Sequence, residues 1–245
     1  MSKLVEVINK LAAGVFIVIM EIVTKLSDEI YFNLIRDDRY LYFVKGLGVS
    51  IQLTFYAALI GGAIGILVAL ARLTNNKVIK VIAEKYIDIT RGTPVVVQLL
   101  IIYFAIFAST KIPRVVIASI AFGINSGAYV AELIRAGIQA VDKGQMEAAR
   151  SLGLSYSQAM YHIIMPQAIK NILPGMGNEV ISLWKETAIA GFIGLEDLMR
   201  GAEIVRARTF SNYTPYLVIA LIYFYITALM TMILGKMERR LRKSD

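Results

Sequence analysis

Gly144-Gln145-Met146-Glu147-Ala148-Ala149-Arg150-Ser151-Leu152-Gly153-Leu154, closed by Ile163-Ile164-Met165-Pro166-Gln167-Ala168, is a polar stretch set between long apolar runs. Charged side chains are costly inside a bilayer, so this stretch belongs at an aqueous surface. Glu147-Ala148-Ala149-Arg150 predicts a short helix, with small side chains for close docking and charges for orientation. Gly153 permits an abrupt change of direction, because glycine tolerates positive φ. Residues 156–164 predict a second helical piece, and Pro166 opens the next helix, where a missing N–H is harmless.

On either side the apolar runs are continuous. Hydrophobic residues fill 57% of the 245 positions, which places the chain in the membrane class and excludes an ordinary soluble domain. A bilayer core of ~30 Å takes about 20 apolar residues as helix. Residues 46–71, 92–110 and 209–235 meet that without a charge. Residues 115–131 are shorter but extend through Glu132 to Ile134, and 171–195 is interrupted by Glu179, Lys185 and Glu186. The expected fold is all-α and integral to a membrane, with five core spans.

The formal charge of +8 is an orientation signal and does not imply nucleic acid. Basic residues gather at 72–91, around the 144–168 stretch (Arg135, Lys143, Arg150, Lys170) and in the tail (Lys236, Arg239, Arg240, Arg242, Lys243). Five alternating spans put all three on the cytosolic side, and the opposite connections are nearly balanced. With no cysteine there is no disulfide or thiol chemistry. Leu11–Met20 is apolar, but no small-x-small site marks a cleaved signal.

The first 40 residues admit two readings. On a helix turning about 100° per residue, Lys3, Glu6, Asn9, Lys10, Glu21, Thr24 and Lys25 fall within roughly 160° of arc, as in an amphipathic helix at the membrane surface. The uncharged run 11–20 also fits a sixth span with snorkelling lysines. Tyr31, Phe32 and Tyr40 suit an interface. Ala57, Gly61 and Gly65 stand at four-residue spacing in the first core span, which allows close helix approach. Trp184 is expected as an interfacial anchor.

The spacing of Glu147-Ala148-Ala149, Gly153, Ile163 and Pro166 resembles the "EAA" loop of binding-protein-dependent ABC importer permeases; Met165-Pro166 stands where that family usually has Leu-Pro. From about Tyr42 onward the chain is similar to the polar amino-acid branch of those permeases. The resemblance rests on Gly46-Leu47-Gly48-Val49, Arg91-Gly92-Thr93-Pro94, Asn125-Ser126-Gly127-Ala128-Tyr129-Val130-Ala131-Glu132, Pro166-Gln167-Ala168 and Gly177-Asn178-Glu179, in that order. It implies a type I ABC importer transmembrane domain over 41–245, preceded by an amphipathic or elbow segment at 1–40. It also implies a cytosolic coupling loop at about 140–168, in which Gln145, Glu147, Ala148, Ala149, Arg150 and Gly153 contact an ATPase. The implied partners are two ATPase subunits carrying ATP and Mg, a second permease subunit (a copy or a paralogue), and an extracytoplasmic binding protein. The chain itself has no Gly-x-x-x-x-Gly-Lys-Ser/Thr loop and is expected to bind no cofactor or metal.

Pro174, Gly175 and Gly177 predict a break in the fourth span, and such breaks often surround solute sites. Asn178, Ser182 and Lys185 or Glu186 stack along one helical face, as do Asn125, Tyr129 and Glu132 on the third span. For a zwitterionic amino acid, Lys185, Asn178 and Asn125 offer donors to the carboxylate, while Glu179, Glu132 and Glu186 offer acceptors to the ammonium. Equally, Lys185 and Glu186 can be structural or outer-rim residues, and Glu132 with Arg135 an i, i+3 pair.

Two other functions fit the sequence less well. An enzyme lacks its cluster of acid, base, nucleophile or ligand groups, and the single histidine, His162, cannot supply one. A gradient-driven transporter or channel using Glu179 and Glu186 would leave the 144–168 stretch unexplained, and the chain shows no internal repeat.

Overall fold

The computed structural model describes Gly14, Ile17, Val18, Met20, Glu21, residues 23–25 and residues 27–242. The expected polar arc of Lys3, Glu6, Asn9 and Lys10 lies outside the described residues. Among the described residues, nine α-helices follow the N-terminal segment: α1 Tyr40–Leu73, α2 Lys77–Arg91, α3 Val95–Ile101, α4 Arg114–Gln139, α5 Lys143–Ser151, α6 Tyr156–Ala159, α7 Met165–Glu186, α8 Leu198–Thr209 and α9 Thr214–Arg242. Single π turns extend α3 through Ile106 and α6 through Ile164, and a 3-10 segment, Thr187–Ile193, continues α7.

Large apolar residues are on the outside. Along α1, Ile51, Phe55, Leu59, Ile66, Leu67 and Leu70 are exposed, while the buried stripe is Gly46, Ser50, Leu53, Thr54, Ala57, Gly61, Gly65 and Ala69. Such inversion suits lipid, where apolar contact between helices has no advantage over contact with acyl chains, so close backbone approach and hydrogen bonds decide association. The Ala57, Gly61, Gly65 spacing serves this. A Cβ on Gly61 would sit 2.8 Å from Ser126 Cβ, and one on Gly65 would strike Val130. Reciprocally, a Cβ on Gly123 or Gly127 would lie 2.5 or 2.6 Å from Cγ2 of Ile60 or Ile64. Helices α1 and α4 therefore meet along four glycines.

Among the described residues three single helices, α1, α4 and α9, are long and apolar enough to cross a membrane. The expected span at 92–110 begins at a 107° bend from α2, and the two helices together are long and apolar enough to make one broken span. At about 1.5 Å per residue, Val95–Ile106 covers only ~18 Å. Pro94 has no N–H to continue α2, and Gln98 Nε2 staples the corner by donating to the carbonyls of Thr90 (2.7 Å) and Thr93 (3.1 Å).

The break expected at Pro174–Gly177 is absent: α7 is continuous from Met165 to Glu186. The glycines there serve packing, since a Cβ on Gly175 would lie 2.7 Å from Leu133 and one on Gly177 would strike Leu234. The helix changes character only at Thr187. It ends at Gly194, whose φ of +70° allows the reversal and whose carbonyl accepts from Arg114 Nη1 at 2.8 Å. Trp184 is not an interfacial anchor; it is 1% exposed, with its ring 5.0 Å from that of Tyr223.

Before α1 the chain makes an elbow. Asp37 and Asp38 adopt positive φ, and Arg39 is buried there. Its guanidinium donates to Phe32 O at 2.6 Å and to Asp37 Oδ2 at 2.7 Å. Glu29 Oε2 accepts from Thr214 at 3.0 Å, which ties the segment to the start of α9.

Candidate functional site

Two polar places stand out, one between helices and one at an end of the bundle. The first is a cavity of about 390 Å³ lined by Arg91 at the end of α2, Tyr129, Glu132, Leu133 and Ala136 on α4, and Gly175, Asn178, Glu179 and Ser182 on α7. Both long helices contribute positions i, i+3, i+4 and i+7, one face of each. Gly175 leaves room for Leu133, so the two faces approach closely.

The charges in this cavity differ in how far they are satisfied. Glu132 is bound twice: Arg72 Nη1 donates to Oε2 at 2.7 Å, and Arg135 donates to Oε1 through Nε at 2.8 Å and through Nη2. Glu179 accepts one hydrogen bond, from the buried hydroxyl of Ser126 at 2.7 Å, and has no ion pair among the described residues. Arg91 has neither hydrogen bond nor ion pair among them; its guanidinium rests 5.3 Å over the ring of Tyr129. The Gln98 staple fixes the corner next to it.

Of the expected pathway residues, the structure brings Tyr129, Glu132, Asn178, Glu179 and Ser182 together. Asn125 is placed elsewhere: it is 3% exposed and donates to Gln98 Oε1 at 3.0 Å, joining α4 to the α2–α3 corner. Lys185 and Glu186 are also outside the cavity, Lys185 exposed and Glu186 half-buried near the end of α7. Sequence reasoning missed Arg91 and Ser126. Both stand inside quoted motifs, but Arg91 reads there as a basic loop residue and Ser126 as a small packing residue.

The second place is the 143–168 stretch. Helix α5 is N-capped by Asp142, whose Oδ1 accepts from Gly144 N at 2.6 Å. It closes with Gly153 at φ +88°, Leu154 N donating to Ala149 O and Gly153 N to Arg150 O. This is a Schellman closure, with glycine in the position that needs it. Ser155 and Gln158 then form a capping box that starts α6. Ala149 is buried and Met146 packs on a cluster formed by Val141, Ile164, Ala168 and Ile172, while Gln145, Glu147, Ala148 and Arg150 are exposed. Gln145 accepts from Gln167 across 3.4 Å. Exposed Leu152, Tyr156 and Tyr161 add apolar surface, and His162 lies edge-on to Tyr161.

A helical membrane protein with a polar cavity among its spans and a tightly capped polar helix pair at one end has the architecture of a transport subunit. Residues 61–243 match the family described as binding-protein-dependent transport system inner membrane component, and the chain belongs to that family. It is 42% identical over 203 residues to the "Putative glutamine transport system permease protein GlnP" of Rickettsia bellii, covering 82% of this chain and 93% of that one. It is 39% identical over 206 residues to the arginine transport system permease protein ArtQ of Bacillus subtilis, covering 83% and 94%. Among solved structures, an amino acid ABC transporter crystallised with histidines superposes with a TM-score of 0.78 at 48% identity, covering 82% of this chain and 94% of the other. The inward-facing MetNI methionine ABC transporter, at TM-score 0.71 and 17% identity over 84% and 98%, shares the fold alone. The chain is thus a multi-pass permease subunit with the type I ABC importer fold.

Proposed function

We propose that this chain is the permease subunit of an ATP-driven importer that carries polar amino acids across the cytoplasmic membrane. The 41–245 region is the transmembrane domain, and 1–40 is its elbow segment. The 140–168 loop and the C-terminus face the cytosol. Two ATPase subunits, which carry ATP and Mg, grip Gln145, Glu147, Ala148, Ala149, Arg150 and Gly153. A second permease subunit completes the pathway, and an external binding protein delivers the solute. Solute passes the cavity lined by Tyr129, Glu132, Asn178, Glu179 and Ser182. The observation that carries this reading is that α7 holds both parts. Its first turns, through Ala168 and Ile172, share an apolar cluster with Val141, Ile164 and Met146 of the loop, and its middle supplies Asn178, Glu179 and Ser182 to the cavity. Movement of α5 is therefore transmitted along one rigid helix.

The test is reconstitution with the ATPase in vesicles. Amino-acid uptake that needs both ATP and binding protein supports the proposal, whereas uptake by this chain alone without ATP overturns it.

A further inference from the structure

We infer that the groove between the N-terminal segment and the first two turns of α9 seats a zwitterionic phospholipid with a primary-amine headgroup, Lys25 meeting its phosphate and Glu29 its ammonium. Such a site requires only that the chain is embedded in a membrane, so it stands or falls apart from the import reading. The family match begins at residue 61, and the segment that forms one wall of the groove lies before it. The groove is a cavity of about 430 Å³ with Lys25, Glu29 and Ile30 on one side and Thr214, Leu217 and Leu221 on the other.

Its polar and apolar parts are sorted by depth. Thr214 opens an uncharged run that reaches Gly235, ~33 Å of helix at about 1.5 Å per residue, which matches a bilayer core of ~30 Å. Glu29 Oε2 accepts from Thr214 at 3.0 Å, so this carboxylate stands at the edge of that core. Leu217 and Leu221 are exposed and lie three and seven residues further on, about 5 and 10 Å deeper, where an acyl chain runs.

The charges select the headgroup. Glu29 Oε2 also accepts from Asn33 Nδ2 at 3.0 Å and from Ser211 at 3.4 Å, and Oε1 has no hydrogen bond among the described residues. All three donors are neutral, so no cation offsets the carboxylate. Lys25 is exposed and has no ion pair among the described residues. It stands four residues before Glu29, about 6 Å along a helix, which suits the two ends of a phosphoethanolamine. The groove thus presents one cation and one anion. A headgroup of net negative charge would satisfy Lys25 but set a second anion against Glu29. A trimethylated amine has the right charge and no N–H for Oε1, whereas a primary ammonium has three. Both contacts are then charge-assisted hydrogen bonds, the stronger kind.

The experiment uses the full-length permease in complex with its ATPase, stripped of lipid in detergent. Phosphatidylethanolamine, phosphatidylcholine or phosphatidylglycerol with the same acyl chains is titrated in, and native mass spectrometry counts the lipid bound per permease copy. One phosphatidylethanolamine per copy should bind at least tenfold more tightly than either of the others. Glu29→Gln keeps an oxygen for Thr214 and should lower phosphatidylethanolamine to the affinity of phosphatidylcholine. Lys25→Gln should weaken both about tenfold. Leu221 is exposed, so Leu221→Trp fills the groove without altering its charges or the packed interior, and should remove the site. Equal affinity for the three lipids, or a preference for phosphatidylglycerol, overturns the inference. Phosphatidylethanolamine binding that survives all three variants also overturns it, because the lipid then sits elsewhere. Loss of permease pairing in Lys25→Gln, with no lipid bound to the wild type, would put a second copy of the chain in the groove and refute the lipid site.

Discussion

Arg72 donates to Glu132 at 2.7 Å across 60 positions of sequence, joining the end of α1 to α4 at the edge of the cavity between α4 and α7. Each side chain is about one-fifth exposed, so the pair is neither fully solvated nor fully buried. It closes the line of contact that the glycines begin: backbones touch along the helices, and charges lock one end.

Breaking that lock should cost stability. Arg72→Ala is expected to lose about 1–2 kcal/mol, between the values for exposed and buried pairs. Arg72→Ala combined with Glu132→Gln should cost less than the sum of the single changes, as read from thermal unfolding of the detergent-solubilised protein. Strict additivity would show that the two side chains do not interact.

The glycine seam gives a sharper contrast. Gly65→Ala drives a methyl into Val130 and should destabilise by about 1–3 kcal/mol. Gly62→Ala meets no atom within 4 Å and should be neutral or stabilise by a few tenths of a kcal/mol through helix propensity. Melting temperatures of the two variants moving together would refute the seam.

Spacing made the seam readable, and the same kind of local chemistry made the 144–168 loop readable. Gly153 and Pro166 declare their backbone roles without help from the rest of the fold. Break positions were less legible. Pro174-Gly175-Gly177 has the composition of a broken helix, but whether glycine breaks or packs depends on what faces it, here Leu133 and Leu234. Asn125 looked like a pathway residue because its face was inferred from one helix, while its partner Gln98 comes from another. Arg91 was hidden for a related reason: the 107° corner that brings it to the cavity combines Pro94 with a side-chain staple from Gln98 on the next helix.

The buried Asp197 gives a pH signature. It caps α8 by accepting from Arg200 N at 3.0 Å, yet its Oδ2 has no hydrogen-bond partner among the described residues. Burial pushes its carboxyl up to about 6, against lowering hydrogen bonds from backbone N–H groups. A folded pKa above the unfolded value means that the folded state holds the proton more tightly. Stability from this group is present at low pH and is lost as pH rises from about 4 through about 6, in all about 3 kcal/mol. Asp197→Asn keeps the capping oxygen and removes the titration. The difference in unfolding free energy between variant and wild type should therefore grow across that window and be flat above it. A constant difference would show that Asp197 does not titrate there.

The coupling loop yields the prediction nearest to function. Gly153 has φ +88° with open space where a Cβ would stand, so a substitution acts through backbone conformation and not through a clash. Gly153→Pro fixes φ near −65° and removes the N–H that bonds to Arg150 O, so the Schellman closure cannot form. The exposed Glu147 has no intramolecular bond among the described residues, so Glu147→Lys leaves the fold intact and reverses one charge on the docking face. Both variants should insert into the membrane at wild-type levels and retain solute binding in the cavity. In reconstituted vesicles both should lose ATP-driven uptake at least tenfold, while the ATPase still hydrolyses ATP. Gly153→Ala separates backbone strain from loss of the hydrogen bond. It keeps the N–H and costs only about 1–2 kcal/mol of left-handed strain, so uptake should fall by less than in Gly153→Pro. Wild-type uptake in both Gly153→Pro and Glu147→Lys would show that force does not enter the bundle through α5.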